Sequence, residues 1–253
     1  MGNYRNNTKE NIIIIGIIIL NLIIKISFLD SRDIILDEAF TIFNSQRDLD
    51  SLFDIFINEN NPPLHFLLVH FWIKLFGYSV FKMRLLSLIF SVSTIYLIYN
   101  FCLKFFNIKT AILSSLIFTF STFHIYFSHE LRVYSLFCFL IILILYHLFE
   151  IINKPDKLKS YILLAVFNSL LIYSHYLGII ILAIEFSVLM LFNKVIKNKI
   201  HYLMVFVFNA ITFTPIIWIF IKRLQNFTHE GTWVPEPSIS ELYGNLNRFL
   251  NTK

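Results

Sequence analysis

The sequence predicts an all-α protein: a polytopic bundle of about seven transmembrane helices, with juxtamembrane amphipathic helices in the first extracytoplasmic loop. Hydrophobic residues fill 57% of the 253 positions and charged residues 15%, and the mean hydropathy is +0.70. A soluble domain has about half apolar and one quarter charged residues. The excess forms near-continuous apolar runs, which are separated by short lysine-rich segments and by longer acidic segments.

The first apolar run, 12–29, contains one charge, Lys25, and is long enough to cross a bilayer at roughly 20 residues per span. No small-x-small cleavage site closes this run, so we interpret it as a membrane helix and not as a cleaved signal peptide. Six further runs follow, and we expect all seven to form one transmembrane domain over 1–253. The predicted spans are 12–29, 85–101, 110–126, 133–149, 160–175, 177–193 and 202–221.

The basic residues orient these spans. With a cytoplasmic N-terminus, the inner segments hold ten Lys and Arg in 37 positions, whereas the outer segments hold ten in 94. Cytoplasmic loops are enriched in Lys and Arg, so this distribution predicts an integral, multi-pass protein with its N-terminus in the cytoplasm. We expect the plasma membrane of a prokaryote. The basic residues behind the net charge of +5 cluster in the short loops between spans, where membrane topology explains them, and we therefore expect no nucleic-acid partner.

The stretch Leu64–Phe76 is apolar, but its 13 residues are too few to span a bilayer. Counting it as a span would also invert every later loop and place the lysine clusters outside. We expect an amphipathic helix along the outer membrane surface, within the first extracytoplasmic loop 30–84. His65, His70 and Lys74 would form its polar side. The prolines at 62 and 63 are typical of a helix start.

Two adjacent carboxylates, Asp37 and Glu38, follow the first span in the outer loop. At a helix start they would point about 100° apart, because an α-helix has 3.6 residues per turn. One side chain could then face a cavity while the other holds a supporting partner. Alternatively, both acids stabilise the free amides and the dipole of a helix N-terminus. Spacing alone leaves both interpretations open.

Glu130 and Arg132 lie in the second outer loop, near the level of the lipid headgroups. An arginine there suits a lipid phosphate, because its planar guanidinium donates two hydrogen bonds to an oxyanion. The alternative is an Arg–Glu pair that locks a tight hairpin. His175, at the third outer turn, is typical of an interfacial polar group. Glu185 lies in the middle of a span and is either a structural partner or protonated.

The last outer segment contains Arg223 and Trp233. Arg223 either snorkels to the interface or binds substrate, and Trp233 either forms a wall of the substrate site or anchors the interface. The eight histidines show no zinc-type spacing, and the two cysteines lie in apolar runs like small hydrophobic residues. We therefore expect no metal site and no cofactor, and nothing indicates a divalent ion.

Short motifs follow one another along the outer segments. They are Asp37-Glu38, Asn61-Pro62-Pro63-Leu64-His65, Leu75-Phe76-Gly77 with Arg84-Leu85-Leu86-Ser87, the segment 128–136, Tyr173-Ser174-His175-Tyr176 and Trp233-Val234-Pro235-Glu236-Pro237. Each is weak alone. Their order and sidedness over about residues 35–240 resemble the GT-C membrane glycosyltransferases, above all glycosyltransferase family 39, which includes protein O-mannosyltransferases and the aminoarabinose transferases of lipid A.

The resemblance implies a sugar donor carried on a polyprenyl phosphate and transfer on the extracytoplasmic face. An acidic residue of the first loop is essential in the family, and by motif position it corresponds to Asp37, with Glu38 beside it. Members are commonly longer and have further spans. We therefore expect the chain to be the N-terminal portion of a longer protein.

Under this resemblance, Asp37 would act as general base on an acceptor hydroxyl of a protein, lipid or glycan. Arg132 would stabilise the leaving phosphate. The further candidates for the donor phosphate or sugar are Glu130, Arg84 and Arg223, and those for the cavity wall are His65, Tyr134, His175, Tyr176 and Trp233. The alternative function is non-enzymatic: a transporter of a lipid-linked substrate, or a scaffold subunit of a membrane glycan-assembly complex. A transporter would place its ionisable groups near mid-bilayer.

Overall fold

A computed structural model of the chain describes residues 8–52, 62–191, 199–225, 238–240 and 243–244. Within these ranges the regular structure is entirely helical, which confirms the predicted all-α class. The helices that build the bundle are α1 (Thr8–Ile26), α2 (Leu36–Ser45), α3 (Leu64–Phe76), α4 (Val80–Phe105), α5 (Ile108–Phe120), α6 (Thr122–Ser128), α7 (Tyr134–Asn153), α8 (Leu158–Ser174), α9 (Gly178–Leu191) and α10 (Lys199–Gln225).

The predicted count of seven spans is not confirmed. In the described part of the chain, α4, α7 and residues Lys199–Lys222 of α10 are long and apolar enough to cross a membrane. Helices α5 and α6 would make a fourth span if they cross together, with a bend of 60° between them. Helices α8 and α9 are apolar but shorter, and α1 carries charges near both of its ends.

The bend between α5 and α6 occurs at Ser121. Its backbone is extended (φ −63°, ψ 118°), and its hydroxyl accepts a hydrogen bond from the amide of His124 at 3.3 Å. A serine at this position offers the backbone a capping partner in place of the next helical carbonyl. The run 110–126, predicted as one continuous span, is therefore two helices that meet at an angle.

Helix α3 occupies the stretch that was predicted to form a surface helix. It follows Pro63 and ends at Gly77, whose φ of +80° and ψ of 178° suit only glycine. The expected polar face was wrong: His65 and His70 are both buried. The ring Nδ1 of His70 lies 2.9 Å from the carbonyl oxygen of Ser45, so this face packs against α2 and not against water.

Helix α4 forms the centre of the bundle and packs against α1, α5 and α7, while α8 packs against α7 and α10. The 21 residues from Arg84 to Lys104 of α4 span about 30 Å, the thickness of a bilayer core. At the Lys104 end, the carboxylate of Glu150 binds Lys104, Lys157 and the hydroxyl of Ser160. The predicted inner segments 102–109 and 150–159 thus meet at one end of α4, and the first and second outer loops meet at the other.

Candidate active site

The candidate active site lies where the N-terminal parts of α2 and α4 and the loop between α6 and α7 come together. Residues 29–33, which leave α1, border it on one side. The first turn of α3 borders it on another. These segments are far apart in the sequence, so long-range side-chain contacts hold the site together.

A buried ion pair between Glu38 and Arg84 joins α2 to α4. The Nε and Nη2 atoms of Arg84 donate to the two carboxylate oxygens of Glu38 at 2.8 and 2.6 Å, and each side chain is 1% exposed. Such a bidentate pair has a fixed geometry, because the planar guanidinium matches the carboxylate. Of the two adjacent acids, Glu38 is therefore the one that holds a supporting partner.

The same pair also sets the position of the neighbouring main chain. The remaining Arg84 donors bind the carbonyl oxygens of Leu29, Arg32 and Asp33 at 3.0, 3.0 and 3.3 Å. Glu38 Oε1 accepts a further hydrogen bond from the amide of Leu131 at 3.0 Å. All five N–H groups of Arg84 thus face protein atoms, which leaves none for a donor phosphate. The structure gives Arg84 a positioning role in place of the predicted binding role.

Asp37 and Arg132 face each other across the site. Asp37 Oδ2 lies 3.7 Å from Arg132 Nη2, and the side chain of Asp37 is 55% exposed whereas that of Arg132 is 11% exposed. Arg132 Nη1 donates to the carbonyl oxygen of Asp37 at 3.1 Å and to the hydroxyl of Thr41 at 2.9 Å. Arg132 Nε has no hydrogen-bond partner among the described residues. The structure therefore brings the two predicted residues together. Asp37 is accessible to solvent, whereas Arg132 is held by hydrogen bonds to α2.

Glu130 does not pair with Arg132, as a locked hairpin would require. It is buried, and its Oε1 lies 3.5 Å from Nη2 of Arg32, whose guanidinium stacks 4.1 Å from the ring centroid of Tyr126. Burial raises the pKa of Glu130, although Tyr126 and Arg32 act in the opposite direction. Arg32 was missed because it stands in a short polar turn with no motif around it.

His65 lies at the floor of the site. With Phe66, Thr41, Arg132 and Val133 it lines a narrow depression with no room for a water molecule. Burial, and secondarily the charge of Arg132, lower the pKa of His65 to about 3. This histidine is therefore a neutral, buried group at the base of the Asp37–Arg132 pair.

The other predicted cavity residues lie farther out. The ring of His175 lies 6.4 Å from that of Tyr134, and burial, followed by the charge of Arg132, lowers the pKa of His175, so both residues border the site. Tyr176 packs against Phe220 of α10 at 5.7 Å instead. Arg223 falls near the end of α10, and its side chain and Trp233 lie outside the described residues.

Beneath the site, Lys25 of α1 is fully buried. Its Nζ donates to the hydroxyl of Ser91 at 2.6 Å and lies 2.9 Å from Nδ1 of His124. Its carbonyl oxygen lies 2.8 Å from Nε2 of His129. The sequence showed Lys25 only as one charge in an apolar run. Among the described residues there is no group of three His, Cys, Asp or Glu that could hold a metal ion.

Comparison with known proteins agrees with this architecture. Residues 60–218, more than half of the chain, match the family model described as dolichyl-phosphate-mannose-protein mannosyltransferase. Glu130 and Arg132 lie inside the matched range, whereas Asp37 and Glu38 precede it. No curated protein matches the chain.

Two solved structures share the fold. The S. cerevisiae protein O-mannosyltransferase Pmt1-Pmt2 complex bound to the sugar donor has a TM-score of 0.67 at 15% identity, with 89% of this chain and 35% of that chain covered. ArnT from Cupriavidus metallidurans in the apo state has a TM-score of 0.69 at 12% identity, with 93% and 47% covered. The chain thus spans less than half the length of either structure.

These findings confirm the resemblance to GT-C enzymes of glycosyltransferase family 39 and the membrane-embedded helical fold. The family match covers α3 to most of α10, and the two structural likenesses extend over almost the whole chain. The chain belongs to the dolichyl-phosphate-mannose-protein mannosyltransferase family.

Proposed function

We propose that this chain contains the catalytic site of a membrane glycosyltransferase that moves a sugar from a polyprenyl-phosphate donor to a hydroxyl acceptor on the extracytoplasmic face. One observation carries the proposal: the exposed carboxylate of Asp37 stands 3.7 Å from the guanidinium of Arg132. The two residues are 95 positions apart in sequence, and a buried ion pair directly beneath fixes both of their segments.

The proposed reaction is a direct displacement at the anomeric carbon. The acceptor oxygen forms a bond to that carbon while its proton passes to the carboxylate of Asp37. The bond from the anomeric carbon to the phosphate oxygen breaks, and the polyprenyl phosphate leaves with the electron pair. A positioned carboxylate contributes about 10²–10⁴-fold to such a step. Attack from the face opposite the phosphate inverts the anomeric centre.

Arg132 would stabilise the negative charge that develops on the leaving phosphate. Its Nη1 is held by Thr41 and by the carbonyl of Asp37, while Nη2 and Nε have no hydrogen-bond acceptor in the described structure. A phosphate that binds these two nitrogens would compete with the Asp37 carboxylate for the guanidinium. Donor binding would thereby weaken the 3.7 Å contact and leave Asp37 available to accept a proton.

Other side chains around the pair have supporting or binding roles in this proposal. Glu38 and Arg84 position the α2 turn and the loop that carries Arg132. Glu130 orients Arg32, and the neutral, buried His65 supports Thr41 and Arg132 from the base of the site. The acceptor is a hydroxyl of a protein, lipid or glycan, and no step is assigned to a metal ion. The expected cytoplasmic N-terminus would place this site outside the cell.

The test is transfer of a labelled sugar. Membranes that contain the full-length protein are incubated with a panel of radiolabelled polyprenyl-phosphate sugars, and the label is followed into product. Asp37→Asn is expected to lower the rate by about 10²–10⁴-fold with the best donor. Asp50→Asn, the same change at another exposed acid of the first outer loop, serves as the matched control and should retain full transfer.

Full transfer by a folded Asp37→Asn enzyme would exclude Asp37 as the base. If no donor in the panel gives a glycosylated product, the proposed activity is wrong. Label that crosses the membrane without product formation would support the transporter function instead.

A further inference from the structure

A second polar cluster lies inside the bundle, away from the candidate active site. It joins Asn168 of α8, Glu185 of α9 and Asn209 of α10, each at most 2% exposed. Asn168 Nδ2 donates to Glu185 Oε1 at 3.1 Å and to Asn209 Oδ1 at 3.2 Å. Asn209 Nδ2 donates to the carbonyl oxygen of Ala165 at 2.8 Å and to the hydroxyl of Ser169 at 3.1 Å. These bonds determine which side-chain atom is nitrogen and which is oxygen in Asn168 and Asn209.

Two oxygen atoms of this cluster are left without a hydrogen-bond donor in the described structure: Glu185 Oε2 and Asn168 Oδ1. They belong to the same two groups that are already joined by the bond from Asn168 Nδ2 to Glu185 Oε1. Buried polar atoms nearly always have a partner, so two orphan acceptors on one bonded pair need a physical cause. Both oxygens lack a hydrogen atom.

Glu185 is also a charged group without a counter-ion if it is ionised. No described salt bridge involves it, and the described titratable group on which its charge acts, the phenol of Tyr202 on α10, supplies no positive charge. A lone carboxylate in an apolar helix interior is so costly that the group takes up a proton instead. One proton would neutralise the charge and provide the missing hydrogen atom.

We propose that Glu185 is a proton-binding site and forms a reciprocal acid–amide pair with Asn168. The Glu185 hydroxyl at Oε2 donates to Asn168 Oδ1, and Asn168 Nδ2 donates to Glu185 Oε1. Both orphan oxygens are then satisfied by a single hydrogen bond. The pair links α9 to α8 by hydrogen bonds, and the bond from Asn168 to Asn209 extends this link to α10.

This polar link positions α9, because the other contacts of α9 with α8 are mostly apolar. Gly178 begins α9 so close to α8 that an added Cβ would lie 3.1 Å from the side chain of Leu171. From there Glu185 is two helical turns along. Between two apolar surfaces, an interhelical polar pair fixes the register of the helices, whereas apolar contacts alone permit sliding.

Infrared spectroscopy on the reconstituted full-length protein tests the proton directly. A protonated carboxyl group absorbs above the amide I band, and a carboxylate absorbs below it. The difference spectrum of wild type minus Glu185→Gln should show one protonated-carboxyl band at neutral pH. Asn168→Leu should shift this band to higher frequency, because the acid carbonyl loses its hydrogen bond. Carboxylate bands in the difference spectrum, or bands that change with sodium concentration, would overturn the proposal.

Thermal unfolding provides a second readout that does not depend on spectroscopy. Glu185→Gln keeps one donor and one acceptor in place, and its Tm should stay within about 2 °C of wild type. Glu185→Ala leaves both polar atoms of Asn168 with fewer partners and should lower the Tm by about 2–6 °C. Ser187→Ala, on the exposed side of α9, is the control. A Glu185→Gln variant as unstable as Glu185→Ala would contradict the reciprocal pair.

Discussion

Replacing Arg84 by methionine is expected to lower the free energy of unfolding by about 3–5 kcal/mol, because it leaves the Glu38 carboxylate buried without its partner. Arg84 makes two hydrogen bonds to that carboxylate and three to the carbonyl oxygens of residues 29–33. Its side chain is 1% exposed, so water cannot replace these bonds. For a protein of this size the loss corresponds to a decrease in Tm of about 6–20 °C.

A double-mutant cycle separates the ion pair from simple packing. Glu38→Leu and Arg84→Met should each be strongly destabilising, whereas the double variant buries no charge. We expect the double variant to be more stable than the sum of the single effects predicts, by about 2–3 kcal/mol. The cycle is measured by thermal and denaturant unfolding of the full-length protein in detergent.

Lys82→Met, two residues away on the exposed side of α4, is the matched control and should change stability by no more than about 0.5 kcal/mol. Additive effects of Glu38→Leu and Arg84→Met, within about 0.5 kcal/mol, would refute the reasoning, since they would mean that the two residues do not act as a pair.

Three further results are expected. Arg132→Lys keeps the charge but loses the planar fork, so kcat/KM for the donor should fall by about 10–100-fold; an unchanged kcat/KM in the folded variant would argue against a contact between Arg132 and the phosphate. Because the pKa of His65 lies at about 3 in the folded protein and at 6.5 in the unfolded chain, the unfolded chain binds more protons in this window. Stability is therefore lost as the pH falls below about 6.5, and His65→Gln should flatten the decline in Tm between about pH 7 and pH 5. Gly77→Ala should cost about 1–3 kcal/mol in chemical denaturation, because only glycine adopts its backbone conformation without strain.

The features that could be predicted from the sequence are those set by local chemistry. Proline before Leu64 and glycine after Phe76 delimit α3, because each restricts which backbone angles are available. The 100° turn between neighbouring helical residues predicts that Asp37 and Glu38 face different surroundings, and the structure places one exposed and the other buried. Charge patterning predicts which loops lie at the same end of the bundle.

Pairings across long sequence distances could not be predicted. Nothing in the local pattern indicates that Arg84 binds Glu38, 46 positions away, or that Glu130 pairs with Arg32 and not with Arg132. Hydropathy also misses the bend in the run 110–126, since it measures composition and does not detect a serine cap that bends an apolar run by 60°. A histidine in an apolar helix gives no indication of whether it faces water or a neighbouring helix. For this reason His65 and His70 were predicted to face water, although both are buried.

The adjacent acids Asp37 and Glu38 have two different tasks in the proposed site. A carboxylate that accepts a proton must be accessible, whereas a carboxylate that fixes the geometry must be buried and fully hydrogen-bonded. No single residue meets both demands, but two successive residues of a helix start do. Glu38 binds Arg84 and the amide of Leu131, and the next residue in the chain, Arg132, then reaches back over α2 to the Asp37 carbonyl. The distance between Asp37 and Arg132 therefore depends on Glu38, and loss of Glu38 should disrupt the site even though it never contacts the substrate.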